Sequence, residues 1–143
     1  MSIDKTYYNQ YRQNAASTAT PAQLSDMLYS GAVRFLNQAL THLEGKNLQG
    51  AHNAILQTQE ILEYLAETLN EKVEVSFNLA HLYDYAYRRL IEANVTKDAE
   101  IVQEVLLLLV ELRDAWHEAR QALTDQAAAA AGVGRKEFET KLV

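Results

Sequence analysis

The chain has 143 residues, no cysteine, a single proline and a formal net charge of −6. That length predicts one domain with a core that needs no covalent staple, and the missing cysteine excludes a disulfide framework and thiolate chemistry. No apolar run nears the ~18 residues of a membrane span, and the polar start MSIDKTYYNQYRQ has no signal-peptide core, so a cytoplasmic protein without membrane insertion is expected.

The charge is uneven. Residues 21–125 hold 8 basic and 16 acidic side chains, whereas residues 1–20 and 126–143 each carry a net +1. Nucleic-acid binding needs phosphate neutralisation, so an acidic body predicts no nucleic-acid partner.

Residues 1–19 form an N-terminal arm with tyrosines but no sustained period. The first helix starts at TPAQ, with Thr20 as N-cap, Pro21 at the first helical position and Gln23 closing a capping box. Its apolar residues, Leu24, Leu28, Phe35, Leu36, Ala39, Leu40 and Leu43, recur at helical spacing, and the run stops at Gly45. A second helix spans about Leu48 to Leu69, with a seam of Ala51, Ile55, Thr58, Leu62, Leu65 and Leu69. A third runs from about Val75 to Ala93 along Val75, Leu79, Leu82, Ala86, Leu90 and Ala93, with Asn94 as its C-cap. Thr96 is the expected cap of a fourth helix over about Asp98 to Leu123. Short links make sequential helices antiparallel neighbours. The predicted fold is therefore all-α: an elongated up-down-up-down four-helix bundle over residues 20–125. Residues 126–143, an alanine run broken at Gly132 and Gly134, read as frayed helix followed by a flexible tail.

The spacing supports no catalytic chemistry. A di-metal carboxylate bundle needs two Glu-x-x-His pairs on facing helices. The nearest match occurs once, at Asp114 to His117, with Asp in place of Glu, and the four histidines never pair at ligand spacing. The Gly-Val-Gly at 132–134 lacks a preceding strand and a full phosphate-binding fingerprint. No enzyme activity, metal or cofactor is expected.

The informative feature is surplus apolar surface. One face of the fourth helix carries Ile101, Val105, Leu108 and Leu112; an adjacent face carries Val102, Leu106, Leu109 and Trp116. A bundle helix needs one stripe a little over 100° wide, so Val102, Leu106 and Leu109 are candidate partner-binding residues. In LYDYAYRRLIEAN (Leu82 to Asn94), Leu82, Ala86, Leu90 and Ala93 face the core. Tyr83 and Tyr87 sit at the bundle's shoulder, where a ring packs and its hydroxyl stays wet, and both join the candidate surface. Tyr7, Tyr8 and Tyr11 in the arm offer large contact area at low rotamer cost and are candidates for covering that surface.

At these residues the chain resembles the flagellin-specific export chaperones of the bacterial flagellum. TATPAQL (Thr18 to Leu24), MLYSGAVRFL (Met27 to Leu36), LYDYAYRRLIEAN and EVLLLLVELRDAWHEA (Glu104 to Ala119) carry the resemblance, in order, across roughly residues 7–120. The link Glu71-Lys-Val-Glu-Val-Ser departs from the Gly-Gly-Glu-like link common in that family. The resemblance implies an elongated antiparallel bundle whose client is the disordered C-terminal segment of flagellin, held along apolar grooves. It also implies protection from premature polymerisation, delivery to export-gate components, and an arm folded over part of the client surface. The alternative is a helical adaptor that spends its spare face on a homo-oligomer, which the chaperone reading permits but does not require.

Overall fold

The structure, a computed structural model, describes the backbone of residues 20–142 and the side chains of residues 20–131. Among the described residues there are four helices and no strand: α1 (Pro21–Glu44), α2 (Leu48–Glu67), α3 (Val75–Thr96) and α4 (Ala99–Leu142). By contact the chain divides into two compact units, Met1–Arg113 and Asp114–Val143. The first holds α1, α2, α3 and the opening turns of α4 as a four-helix bundle.

Local chemistry sets most of the boundaries. The Thr20 side chain accepts from the Gln23 amide at 3.1 Å, and the Gln23 side chain accepts from the Thr20 amide at 3.0 Å. Two donors left orphaned by the first helical turn are thereby satisfied. α1 ends at Gly45, and Lys46 takes the left-handed conformation, φ 58°. Asn47 then caps α2, its side chain accepting from the Gly50 amide at 3.0 Å. Gly50 has a packing reason: a Cβ there would lie 2.7 Å from both the Asn47 amide nitrogen and the His42 ring.

The α3–α4 junction differs from the sequence expectation. α3 continues through Asn94 to Thr96, whose hydroxyl donates back to the Glu92 carbonyl at 2.8 Å. The turn is made by Lys97 in the left-handed region, φ 53°. Asp98 then accepts from the Glu100 amide at 2.9 Å, the capping role assigned to Thr96. The second helix closes at Glu67 rather than Leu69. In the second unit the helical backbone runs on to Leu142, past the fourth helix's expected end near Leu123 and through Gly132 and Gly134, where the sequence predicts that a frayed helix breaks. A helix-interior glycine costs about 1 kcal/mol relative to alanine. That weakens a helix without ending it, and here five alanines, the strongest helix formers, precede the first glycine.

Cross-helix contacts fix the direction of α2 against α3. His52 bonds to Asn94, Gln59 to the Tyr87 carbonyl, and Tyr87 to Glu63. Numbers rise along α2 as they fall along α3, so the pair is antiparallel. The core lies between Leu28, Ala32, Leu36 and Ala39 of α1, Ile55, Ile61 and Leu62 of α2, Ala86, Leu90 and Ala93 of α3, and Val102, Val105 and Leu109 of α4, all fully or almost fully buried. None of the described helices is long and apolar enough to cross a membrane.

Candidate functional site

The residues expected to form a spare stripe are in the core. Val102 and Leu109 are fully buried and Leu106 nearly so. Together with Ile101 and Val105 they make one buried stripe at i, i+1, i+4, i+5 and i+8. The two faces inferred from the sequence are halves of a single one, because the bundle axis passes between them. The apolar surplus of α4 falls instead at Leu107, which is 55% exposed, with Leu108, Val110 and Leu112 half-buried. On α3, Ile91 and Val95 are exposed as well.

Tyr83 is likewise not a shoulder residue. It is only 3% exposed, as is Tyr29 of α1, and their hydroxyls are hydrogen-bonded to each other. The rings lie 6.4 Å apart between centroids at 45°. Burial pushes both phenols above their ordinary value; at Tyr83 the nearby Tyr29 oxygen adds to the effect. Leu82, expected to face the core, is half-buried, and Val75 is exposed. The third helix is thus rotated so that a tyrosine takes the deep position. A buried hydroxyl is tolerable only with a partner, and Tyr29 supplies one from a helix the local pattern does not reveal.

Tyr87 does sit at the edge, half-buried, its hydroxyl donating to Glu63 at 2.9 Å. That bond raises its pKa. Around Tyr83 and Tyr87 the surface opens into a cavity of about 250 Å³, in which Leu62, Glu63 and Ala66 of α2 face Ala80, Asp84 and the two tyrosines. A second cavity, about 420 Å³, adjoins it at Ala66 and Ala80 and extends over Glu67, Leu69, Glu71, Ser76 and Phe77. The groove exists because alanine occupies both facing positions, Ala66 and Ala80, each exposed. Phe77, 71% exposed, stands at its end, edge-on to His81 with centroids 4.6 Å apart. Sequence reasoning missed Ala66, Ala80 and Phe77. The available signal was an alanine outside the core seam on each helix, and a phenylalanine off the core register of α3.

The arginines of α3 divide. Arg88 pairs with Asp84 at 3.0 Å on the exposed face. Arg89 reaches across to α4, where its Nη2 and Nε bond Glu104 at 2.7 and 3.2 Å, and its Nη1 bonds Glu92 at 2.6 Å. Tyr85 donates to the same Glu104 at 2.5 Å. The Arg89 and Tyr85 bonds hold the Glu104 carboxyl below the usual carboxylate range. The adjacent arginines therefore have separate structural duties, one of them to latch α3 to α4. Among the described residues no three His, Asp or Glu side chains are placed to share a metal ion. Tyr7, Tyr8 and Tyr11 lie outside the described residues.

A groove with an apolar floor on a helical bundle offers binding rather than catalysis, and comparison with known proteins gives that a family. The family model for the flagellar protein FliS matches residues 4–123. The chain belongs to the FliS family. The flagellar secretion chaperone FliS of Bacillus subtilis strain 168 is 36% identical over 115 residues, 80% of this chain and 86% of that protein. FliS of Escherichia coli K12 is 35% identical, covering 74% of this chain and 80% of its own length. FliS of Salmonella typhimurium LT2 is 33% identical over 80% and 87%. A crystal structure of a bacterial flagellar chaperone superposes with a TM-score of 0.67 at 21% identity, over 83% of this chain and 98% of that one, which supports the four-helix fold. FliS proteins are secretion chaperones of the flagellum and not enzymes, and this member has that class of role.

Proposed function

We propose that this FliS-family chain binds the C-terminal segment of flagellin in the cytoplasm, keeps it from polymerising, and hands it to components of the export gate. The observation that carries the reading is the open apolar groove between α2 and α3 on a chain of this family. A disordered client loses conformational entropy on binding, so it needs a long apolar track to bind well. The groove, with Tyr87 at its edge and Tyr83 in its floor, offers such a track in the helix-in-groove manner. Val102, Leu106 and Leu109 are spent on the core, which leaves the groove residues as the proposed client contacts.

The N-terminal arm is proposed as a cover for this surface through Tyr7, Tyr8 and Tyr11. A cover closed ten times more often than open lowers apparent affinity about tenfold, so deleting residues 1–14 should tighten client binding by up to that factor. Weaker binding after deletion would identify the arm as a clamp instead.

The chaperone reading is tested by flagellin polymerisation. Equimolar chain should suppress filament growth from monomeric flagellin, with the two proteins eluting as one complex. Unimpeded growth with no complex would overturn it. The homo-oligomer reading predicts a mass that rises with concentration and no effect on flagellin.

A further inference from the structure

The groove between α2 and α3 has a charge character as well as an apolar one. Its lining includes Glu63, Glu67 and Glu71 from α2 and the segment after it, and Asp84 from α3, with no lysine, arginine or histidine. Glu63 accepts the Tyr87 hydroxyl, and Asp84 is paired with Arg88 through an exposed bridge. Exposed bridges of that kind are worth at most about 1 kcal/mol, so Asp84 can exchange its partner. Between the carboxylates the floor is apolar: Leu62, Ala66, Ala80 and the Tyr83 ring, with the exposed Phe77, edge-on to His81, at the end.

We propose that this groove seats a segment that presents a large apolar side chain flanked by lysine or arginine, and that the carboxylate rim selects against acidic segments. The proposal rests on the chaperone reading and adds the chemistry by which the client is chosen. An apolar floor alone would accept any amphipathic helix. A one-sign rim turns that into discrimination, because a like charge brought against it is unfavourable and an opposite one steers association. The two exposed alanines give access: a side chain of any size at Ala66 or Ala80 would fill the space where the two cavities meet.

The test uses the full chain and two synthetic amphipathic peptides with identical apolar faces, one with lysine and one with glutamate at the flanking positions. At low salt the lysine peptide should bind about tenfold or more tightly than the glutamate peptide, and the gap should narrow at high salt. Glu63→Gln/Glu67→Gln/Asp84→Asn should remove the preference, and Ala80→Trp should abolish binding of the lysine peptide. Both changes are at exposed positions, and circular dichroism checks that each variant stays helical. Equal binding of the two peptides, or lysine-peptide binding undiminished by Ala80→Trp, overturns the proposal. It is overturned too if Ala80→Trp leaves peptide binding intact while converting a dimer to a monomer, because the groove is then a self-association face. The flagellin C-terminal segment is titrated in parallel. If it binds wild type and Ala80→Trp equally, the groove proposal falls and the chaperone reading stands. If it does not bind wild type, the chaperone reading falls independently of the peptides.

Discussion

Removing one hydroxyl of the Tyr29–Tyr83 pair should cost more than removing both. Each tyrosine is 3% exposed, and the two hydroxyls bond to each other across 54 positions of sequence. Tyr29→Phe leaves the Tyr83 hydroxyl shut away from water with nothing to bond, and Tyr83→Phe does the same to Tyr29. A stranded buried hydroxyl costs about 1–3 kcal/mol, whereas removing both partners of a buried bond can be nearly neutral. The double variant should therefore be more stable than either single one, with a coupling on the order of 1–2 kcal/mol. Urea unfolding at unchanged slope measures it directly. The alkaline limb gives an independent readout. Burial raises both phenol pKa values, so the unfolded chain releases these protons more readily. The pair's contribution is complete below the ordinary tyrosine range near 10 and is lost as pH rises through the raised folded values. The double Phe variant should lose less stability above pH ~10 than wild type. Small, additive single-variant effects would refute the argument, because they would mean that each hydroxyl keeps access to water.

Three further outcomes follow from the packing. Leu106→Asp should destabilise the fold by about 3 kcal/mol or more, since it buries an unpaired charge; a variant that keeps wild-type melting would place Leu106 outside the core. Glu104→Gln should flatten the acid limb of the stability profile. The Glu104 pKa is lowered by Arg89 and Tyr85, so its contribution is present above the ordinary carboxylate range and is lost as pH falls through the lowered value; an unchanged acid limb in circular dichroism melts would show that the latch is idle. Deleting residues 126–143, outside the unit that holds the bundle, should move stability by no more than about 0.5 kcal/mol, and a large drop in melting temperature would contradict that.

Local signals were legible in the sequence and long-range ones were not. The TPAQ capping box is decided by four consecutive residues, and the structure has it as read. The first and second helices and the Gly45 stop are equally local. The depth of Tyr83 depends on Tyr29, a residue of another helix, so no local pattern shows it. On α4, every position from Ile101 to Val110 but Gln103 and Glu104 is apolar, so periodicity does not say which stripe faces the axis, and Leu106 lies inward where the sequence predicts it outward. The groove was invisible for a related reason. It is defined by what Ala66 and Ala80 leave empty across an interface, and a one-dimensional pattern records side chains rather than the space between them.

The central claim, that this chain holds the C-terminal segment of flagellin, is tested most directly by titration calorimetry against two monomeric flagellins, one intact and one lacking that segment. The account predicts saturable binding to the intact protein, with a negative heat-capacity change from apolar burial, and no binding to the truncated one. Equal binding to both would contradict it.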